Sequence, residues 1–314
     1  MGISASAVIT HRPVKRLLTT TMQSCHTLLQ RATHQQERDR LWSLYGPSLI
    51  RDCDRSLQTD WLNDLLQLDV GTSFPVRQDN IDQTSGKNRR LGHYFESLWQ
   101  QSLHRAGWRF EAGLRIGDRQ HTLGELDLLF EQPDGNHWHI ELALKFFLAG
   151  PNGWVGPDSR DPLNNKLARL FDHQLLLPHR PDVSTWLAER GWNHLQSQAI
   201  VRGCLFYPAH PQAVPPLPDG INPDHWRGYW THWPNGREHL SEGLWYVLDK
   251  AFWCSPAHVA FGISNQTLYQ YLDLHFRHVG IPVCVVRVEE LAGAGFIEQE
   301  RWMLVNEDWP TRIR

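Results

Sequence analysis

The sequence predicts an α/β protein whose core runs helix, three-stranded antiparallel meander, helix, strand, with additional α/β elements towards the C-terminus. Three observations carry that prediction. Leu91, Tyr94, Phe95, Leu98, Trp99 and Leu103 recur at helical spacing. From Gly124 to Phe147, apolar and polar residues alternate on both sides of a turn. A second helical stripe, Leu163, Leu167, Leu170, Phe171 and Leu175, precedes the apolar run from Ala199 to Phe206.

Residues 1–33 are rich in Ser, Thr and Ala, and their apolar periodicity is poor. They are expected to form a poorly ordered extension. They hold no long apolar run, so neither a signal peptide nor a membrane span is supported. The core is expected over residues 34–207. It begins with a helix through Leu41, Trp42, Leu44 and Tyr45 that ends at Gly46-Pro47. A second helix is suggested by Trp61, Leu62, Leu65, Leu66 and Leu68. Residues 71–90 read as a polar loop, and Lys87, Arg89 and Arg90 at its end are candidate phosphate contacts or a solvated charge run.

The helix from Leu91 carries Glu96 on the edge of its apolar stripe. Residues Trp108 to Ile116 read as the first strand of the meander. In the second, Leu126, Leu128 and Phe130 alternate with Glu125, Asp127 and Leu129. In the third, Ile140, Leu142, Leu144 and Phe146 alternate with His139, Glu141, Ala143 and Lys145. Pro133-Asp134-Gly135 supplies the turn, because Pro presets φ and Gly accepts a positive φ. If the turn centres on Asp134, Asp127 lies opposite Glu141 and Glu125 opposite Ala143, with Lys145 further along the same face.

Directly opposed side chains have Cβ atoms about 4.5–5.5 Å apart, and like charges there are destabilising. Something must offset that cost. A divalent cation is one answer, since Mg²⁺ is held by one or two carboxylates plus waters and phosphate oxygens. Solvation of both acids, or neutralisation by Lys145, is the other. His137 and His139 share the Glu141 face. They are read either as polar residues filling the outer end of that face or as transition-metal ligands.

After the meander, Asp161 can cap a helix over 161–176 with Pro162 at its first position. Residues 208–314 are expected to form a Trp-rich α/β extension or subdomain. Prolines from Pro208 to Pro223 mark an extended loop. Trp226, Tyr229, Trp230 and Trp233 suit either a stacking platform for bases, with Arg227, or core packing and a lid. Leu244 to Leu248, Pro282 to Val288 and Arg301 to Val305 read as strands. Ser264 or Asn265 caps a helix through Leu268, Leu272 and Phe276.

The net charge of −3 gives no overall basic signature, so a nucleic-acid partner would need a local basic patch. Five cysteines, an odd number without a CxxC, argue against a disulfide framework or a zinc ribbon and fit a reducing cytoplasm.

The ordered set LGHYFESLW, GELDLLF, HIELALKFF and the following helix resembles the PD-(D/E)XK nuclease-like superfamily, and looks like an uncharacterised bacterial family grouped with it. The resemblance covers roughly residues 38–314 at the boundary precision of sequence reading. It implies a restriction endonuclease-like core and a Mg²⁺- or Mn²⁺-dependent nuclease acting on DNA, with RNA as a variant. It also implies Asp127, Glu141 and Glu96 as metal-binding acids and Lys145 as the catalytic lysine. Glu125, Lys166 and Gln174 are further candidate substrate contacts. The superfamily usually places its lysine two residues after the second acid, where this chain has Ala143; Lys145 follows one pair-step later, about 6.6 Å along the strand. A degenerate nuclease fold that binds nucleic acid or a protein partner without cleavage is the alternative.

Overall fold

A computed structural model describes residues 29, 32, 34–51, 61–62, 65, 91–117, 122–158, 162–210 and 214–310. The expectations for Lys87, Arg89, Arg90, Asp161, Leu66 and Leu68 lie outside the described residues, as does nearly all of the N-terminal extension.

The described residues form a mixed α/β structure around one large sheet. The helices are α1 (Gln35–Tyr45), α2 (Leu91–Ala106), α3 (Leu163–Arg169), α4 (Pro181–Ala188) and α5 (Asn265–His278). The strands of the first half are β1 (Phe110–Gly117), β2 (Thr122–Glu131), β3 (His137–Gly150), β4 (Gly153–Val155) and β5 (Gln196–Pro208). Those of the second are β6 (Trp226–His232), β7 (Leu244–Leu248), β8 (His258–Val259), β9 (Ile263–Ser264), β10 (Val283–Leu291) and β11 (Gly295–Val305). The sheet has 11 strands in the order β1-β2-β3-β5-β6-β11-β10-β7-β9, with β4 paired to β3 and β8 to β11. Strands from residue 226 onward therefore continue the same sheet.

The long strand β3 is its pivot. It pairs antiparallel with β2 and parallel with β5, the latter from Trp138↔Gln196 to Leu148↔Phe206. Its two apolar sets face opposite ways, as strand geometry requires. Trp138, Ile140 and Leu142 pack with Phe95, Leu98 and Trp99 of α2. On the other face, Phe147 and Ala149 pack with Leu163 and Leu167 of α3 and with Leu170. The helix that starts at Leu163 does not run on to residue 176. It passes at Leu170–Gln174 into a π-helical turn, a rare widening that shifts which side chains face the sheet. Pro162 stands at the N-cap position of α3 and caps it with no side-chain hydrogen bond.

The tryptophan-rich β6 is core. Trp226 and Trp230 are buried with Met303 and Val305, and Trp233 is buried with Trp245 and Leu268. Only Tyr229 of that set is exposed, so no stacking platform for bases exists there. Burying these indoles removes large apolar areas from water, and the Trp230 N–H is satisfied by the Ala149 carbonyl. Cys204, Cys254 and Cys284 are buried and free.

Gly203, opposite Lys145 in the parallel β3–β5 pair, has φ +139°, and a Cβ there would meet the Lys145 carbonyl oxygen at 1.7 Å. Gly203→Ala is therefore expected to lose about 2–3 kcal/mol from backbone strain alone. A lowered denaturant midpoint with an unchanged slope would show it.

Candidate functional site

The β2–β3 register follows the turn. Leu128 pairs with Ile140, Leu129 with His139 and Phe130 with Trp138, so the next step places Asp127 across from Glu141. Regular pairing stops at Leu128↔Ile140, and side chains take over beyond it. The Asp127 Oδ2 accepts the Leu142 backbone N–H at 2.9 Å.

The expected strict alternation of β2 breaks at Asp127. Leu128 and Phe130 pack under α2, whereas Leu126, two residues away, packs with Ile116, Leu177 and Val183. The cause lies in β1. Its pairing with β2 skips Gly113, the residue in register with Asp127, and Gly113 has φ +63°. A left-handed residue in one strand of a pair bends both and re-aims the side chain opposite. Gly124 meets a different demand, since a Cβ there would lie 2.6 Å from Leu177 Cδ2.

Glu141 is 1% exposed and both its oxygens are held. His139 Nε2 lies 2.9 Å from Oε1, and the Gln174 amide donates to Oε2 at 2.5 Å. Gln174 reaches it from the end of the π turn. Burial raises the Glu141 pKa to about 7, against the pull of hydrogen bonds from Asp127, and the charges of Glu125 and Glu96 add to the rise. Burial likewise raises Asp127 to about 7, with the Glu141 and Glu96 charges adding and the Leu142 N–H opposing.

His139 is fully buried, and burial lowers its pKa to about 4, so its contact with Glu141 near neutral pH is a hydrogen bond of a neutral ring. It is not polar filler at the open end of the strand. Sequence reasoning missed this role, although its i, i+2 spacing to Glu141 on one strand face was the available signal.

Lys145, Lys166, Arg169 and Gln174 line, with Glu141, a cavity of about 200 Å³ between β3 and α3. The structure thus brings Lys145 to the same cavity as Glu141 despite its later position in sequence. Arg169 was not among the sequence candidates; its i, i+3 spacing from Lys166 puts both on one helix side. Asp127 and Glu96 are not in that wall. Glu96 is bonded to His93 at 3.2 Å on α2, and reaches the acid pair only through its charge. Glu125 is half exposed and stands 3.5 Å from Arg115. Among the described residues, no group of three or more His, Cys, Asp and Glu side chains stands ready to hold a metal ion.

The site is thus the buried Glu141, in the wall of a small cavity with three cationic side chains, and the half-buried Asp127 across from it on β2. The chain belongs to a family known as a domain of unknown function, DUF1853, whose profile matches residues 16–305. No curated protein and no solved structure matches it. Among the described residues, no helix is long and apolar enough to cross a membrane.

Proposed function

We propose that this chain is a metal-dependent nuclease that hydrolyses phosphodiester bonds in DNA in the cytoplasm, on a restriction endonuclease-like core, with RNA as a variant substrate. The observation that carries this reading is the acid pair of half-buried Asp127 and buried Glu141, both raised to about 7, with Glu141 in the wall of a cavity lined by Lys145, Lys166 and Arg169. The element order α2, β1, β2, β3, α3, β5 supports it.

The donor set fits a hard cation. Both residues offer carboxylate oxygens, which Mg²⁺ and Mn²⁺ prefer, and their desolvation and mutual repulsion are the cost a cation would offset. Each carboxylate oxygen already in a hydrogen bond keeps a second lone-pair direction. Two protein carboxylates suffice for Mg²⁺ when waters and substrate phosphate complete the shell, so a third protein ligand is not required. Asp127 and Glu141 would hold the ion, with Glu96 adding negative charge nearby. When bound, such an ion polarises the phosphodiester and lowers the pKa of a coordinated water.

The chain's own residues do the rest. Lys145, Lys166 and Arg169 concentrate positive charge in a protein of net charge −3, so a phosphate is drawn to this cavity rather than to the surface at large. Lys145 stabilises developing negative charge on the phosphate. His139 and Gln174 keep the Glu141 carboxylate from turning. Lys166→Ala and Arg169→Ala are each expected to weaken DNA binding and to reduce the slope of log affinity against log salt by about 0.9 on duplex. Salt titrations of binding check this.

The experiment for the function is incubation of purified protein with linear, nicked, branched and single-stranded DNA in Mg²⁺ or Mn²⁺. Cleavage lost in Asp127→Ala and Glu141→Ala is the expected result. Robust metal-dependent cleavage that survives both substitutions would sink the assignment. A second reading, a non-cleaving protein that binds nucleic acid or a protein partner, is favoured by Ala143, which stands where the superfamily pattern has lysine. Metal-independent binding without cleavage of any substrate would select it.

A further inference from the structure

We propose that His139, Ser197 and His179 are positioning residues that fix the Glu141 carboxylate through one continuous hydrogen-bond chain. What the fixed carboxylate is for rests on the nuclease reading above; the chain itself does not.

The chain is continuous in space but scattered in sequence. His139 Nε2 lies 2.9 Å from Glu141 Oε1, and its Nδ1 lies 3.0 Å from Ser197 Oγ. His179 Nε2 lies 2.9 Å from the same Oγ. At the other end, Gln174 donates to Glu141 Oε2. Three pieces of the fold contribute. Glu141 and His139 sit on β3, Ser197 on β5, and both Gln174 and His179 on the connector between α3 and α4. That connector holds Gln174 at the end of its π turn and His179 at the end of a 3₁₀ turn, Leu177–His179. Two irregular turns within ten residues each deliver one side chain to the same network. A plain continuation of α3 would not do so.

The donor inventory sets a direction. The Gln174 amide can only donate to the carboxylate. An ionised Glu141 accepts at Oε1 as well, so His139 donates from Nε2. The neutral ring then presents a lone pair at Nδ1, which accepts a hydrogen bond from the Ser197 hydroxyl. The Ser197 oxygen in turn accepts the His179 Nε2–H. Both rings are therefore Nε2–H tautomers, and every member has one available role. Such a chain removes the rotational freedom of a carboxylate that must offer a set lone pair to a cation. Partners of this kind, one shell out from a metal ligand, typically cost about 10–100-fold in metal affinity when removed.

The test uses the full chain labelled with ¹⁵N-histidine, together with Mn²⁺ affinity at pH 8. Long-range ¹⁵N–¹H spectra in Mg²⁺ should show His139 and His179 as Nε2–H tautomers, and Ser197→Ala should shift the His139 Nδ1 resonance. His139→Leu should bind Mn²⁺ about 10–100-fold more weakly, and Ser197→Ala about 10-fold more weakly. His139→Gln, which keeps a donor, should recover most of the loss. Melting curves of each variant separate unfolding from mispositioning. Wild-type Mn²⁺ affinity in both His139→Leu and Ser197→Ala would overturn the proposal, as would an Nδ1–H tautomer at His139 in Mg²⁺. If the wild-type chain binds no Mn²⁺, the metal reading fails alone. The chain is then judged by the spectra, and a His139 resonance indifferent to Ser197→Ala overturns it.

Discussion

At pH 8 and without metal, Asp127→Asn and Glu141→Gln are each expected to be more stable than the unsubstituted chain, by a few kcal/mol. Most substitutions at buried, bonded positions destabilise, so the sign is diagnostic. Each acid has a folded-state pKa of about 7, raised from the ordinary carboxylate range by burial. The folded state therefore binds protons that the unfolded state has already released. With the folded pKa raised, the stability contribution is fully present below about pH 4 and is lost as pH rises towards 7. One unit corresponds to about 1.4 kcal/mol, and the coupling of two adjacent acids makes the shared figure smaller than the sum. The amides remove the charge, and in Glu141→Gln both bonds persist once the Gln174 amide turns its oxygen towards the new NH2. The amide oxygen introduced by Asp127→Asn would still accept the Leu142 N–H, and the side chain introduced by Glu141→Gln would still reach His139. Melting temperatures across pH 4–9 check this: the advantage should grow between pH 4 and 7, level off above that, and vanish at pH 4. A variant less stable than wild type at pH 8 and equally so at pH 4 would refute it. Stability gained by disarming an acid pair is what is expected where a site keeps its charges for use.

Glu141→Gln is also expected to lower kcat for metal-dependent DNA cleavage by at least about 10²-fold, the usual scale for removing one electrostatic group from an active site. The substitution keeps volume and burial, so a loss with an unchanged melting temperature reports the charge and not the fold. Lys145→Ala should cost a comparable factor in kcat with little change in KM, because its proposed partner is charge that develops during reaction. A raised KM with kcat unchanged would recast Lys145 as a binding residue. Single-turnover cleavage of the preferred substrate measures both.

Much of this arrangement was legible in the sequence. The Pro-Asp-Gly turn sets a register that puts Asp127 across from Glu141, since the strand period leaves one solution once the turn is placed. The helical stripes of α2 and α5 follow from spacing, and Ser264 does cap α5 by accepting the Thr267 N–H. Three things were not legible. The break in alternation at Asp127 depends on Gly113 in the neighbouring strand, a non-local cause. The π turn after α3 leaves the apolar stripe almost unchanged, so Gln174 could be suspected but not aimed. Ser197 and His179 join Glu141 only through the parallel pairing of β3 with β5, which a single strand's pattern cannot reveal. Glu96 shows the reverse. Its position in the element order suggested a ligand, but its side chain is bonded to His93 and acts on the pair at a distance.

On the proposed function, Asp127 and Glu141 together hold a divalent cation. Calorimetric titration of Mn²⁺ into the purified chain at pH 8 tests it most directly. One saturable site is expected in the wild-type chain, lost in both Asp127→Asn and Glu141→Gln while both remain folded. Saturable binding that persists unchanged in the two variants, or a wild-type chain that takes up no ion, would contradict it.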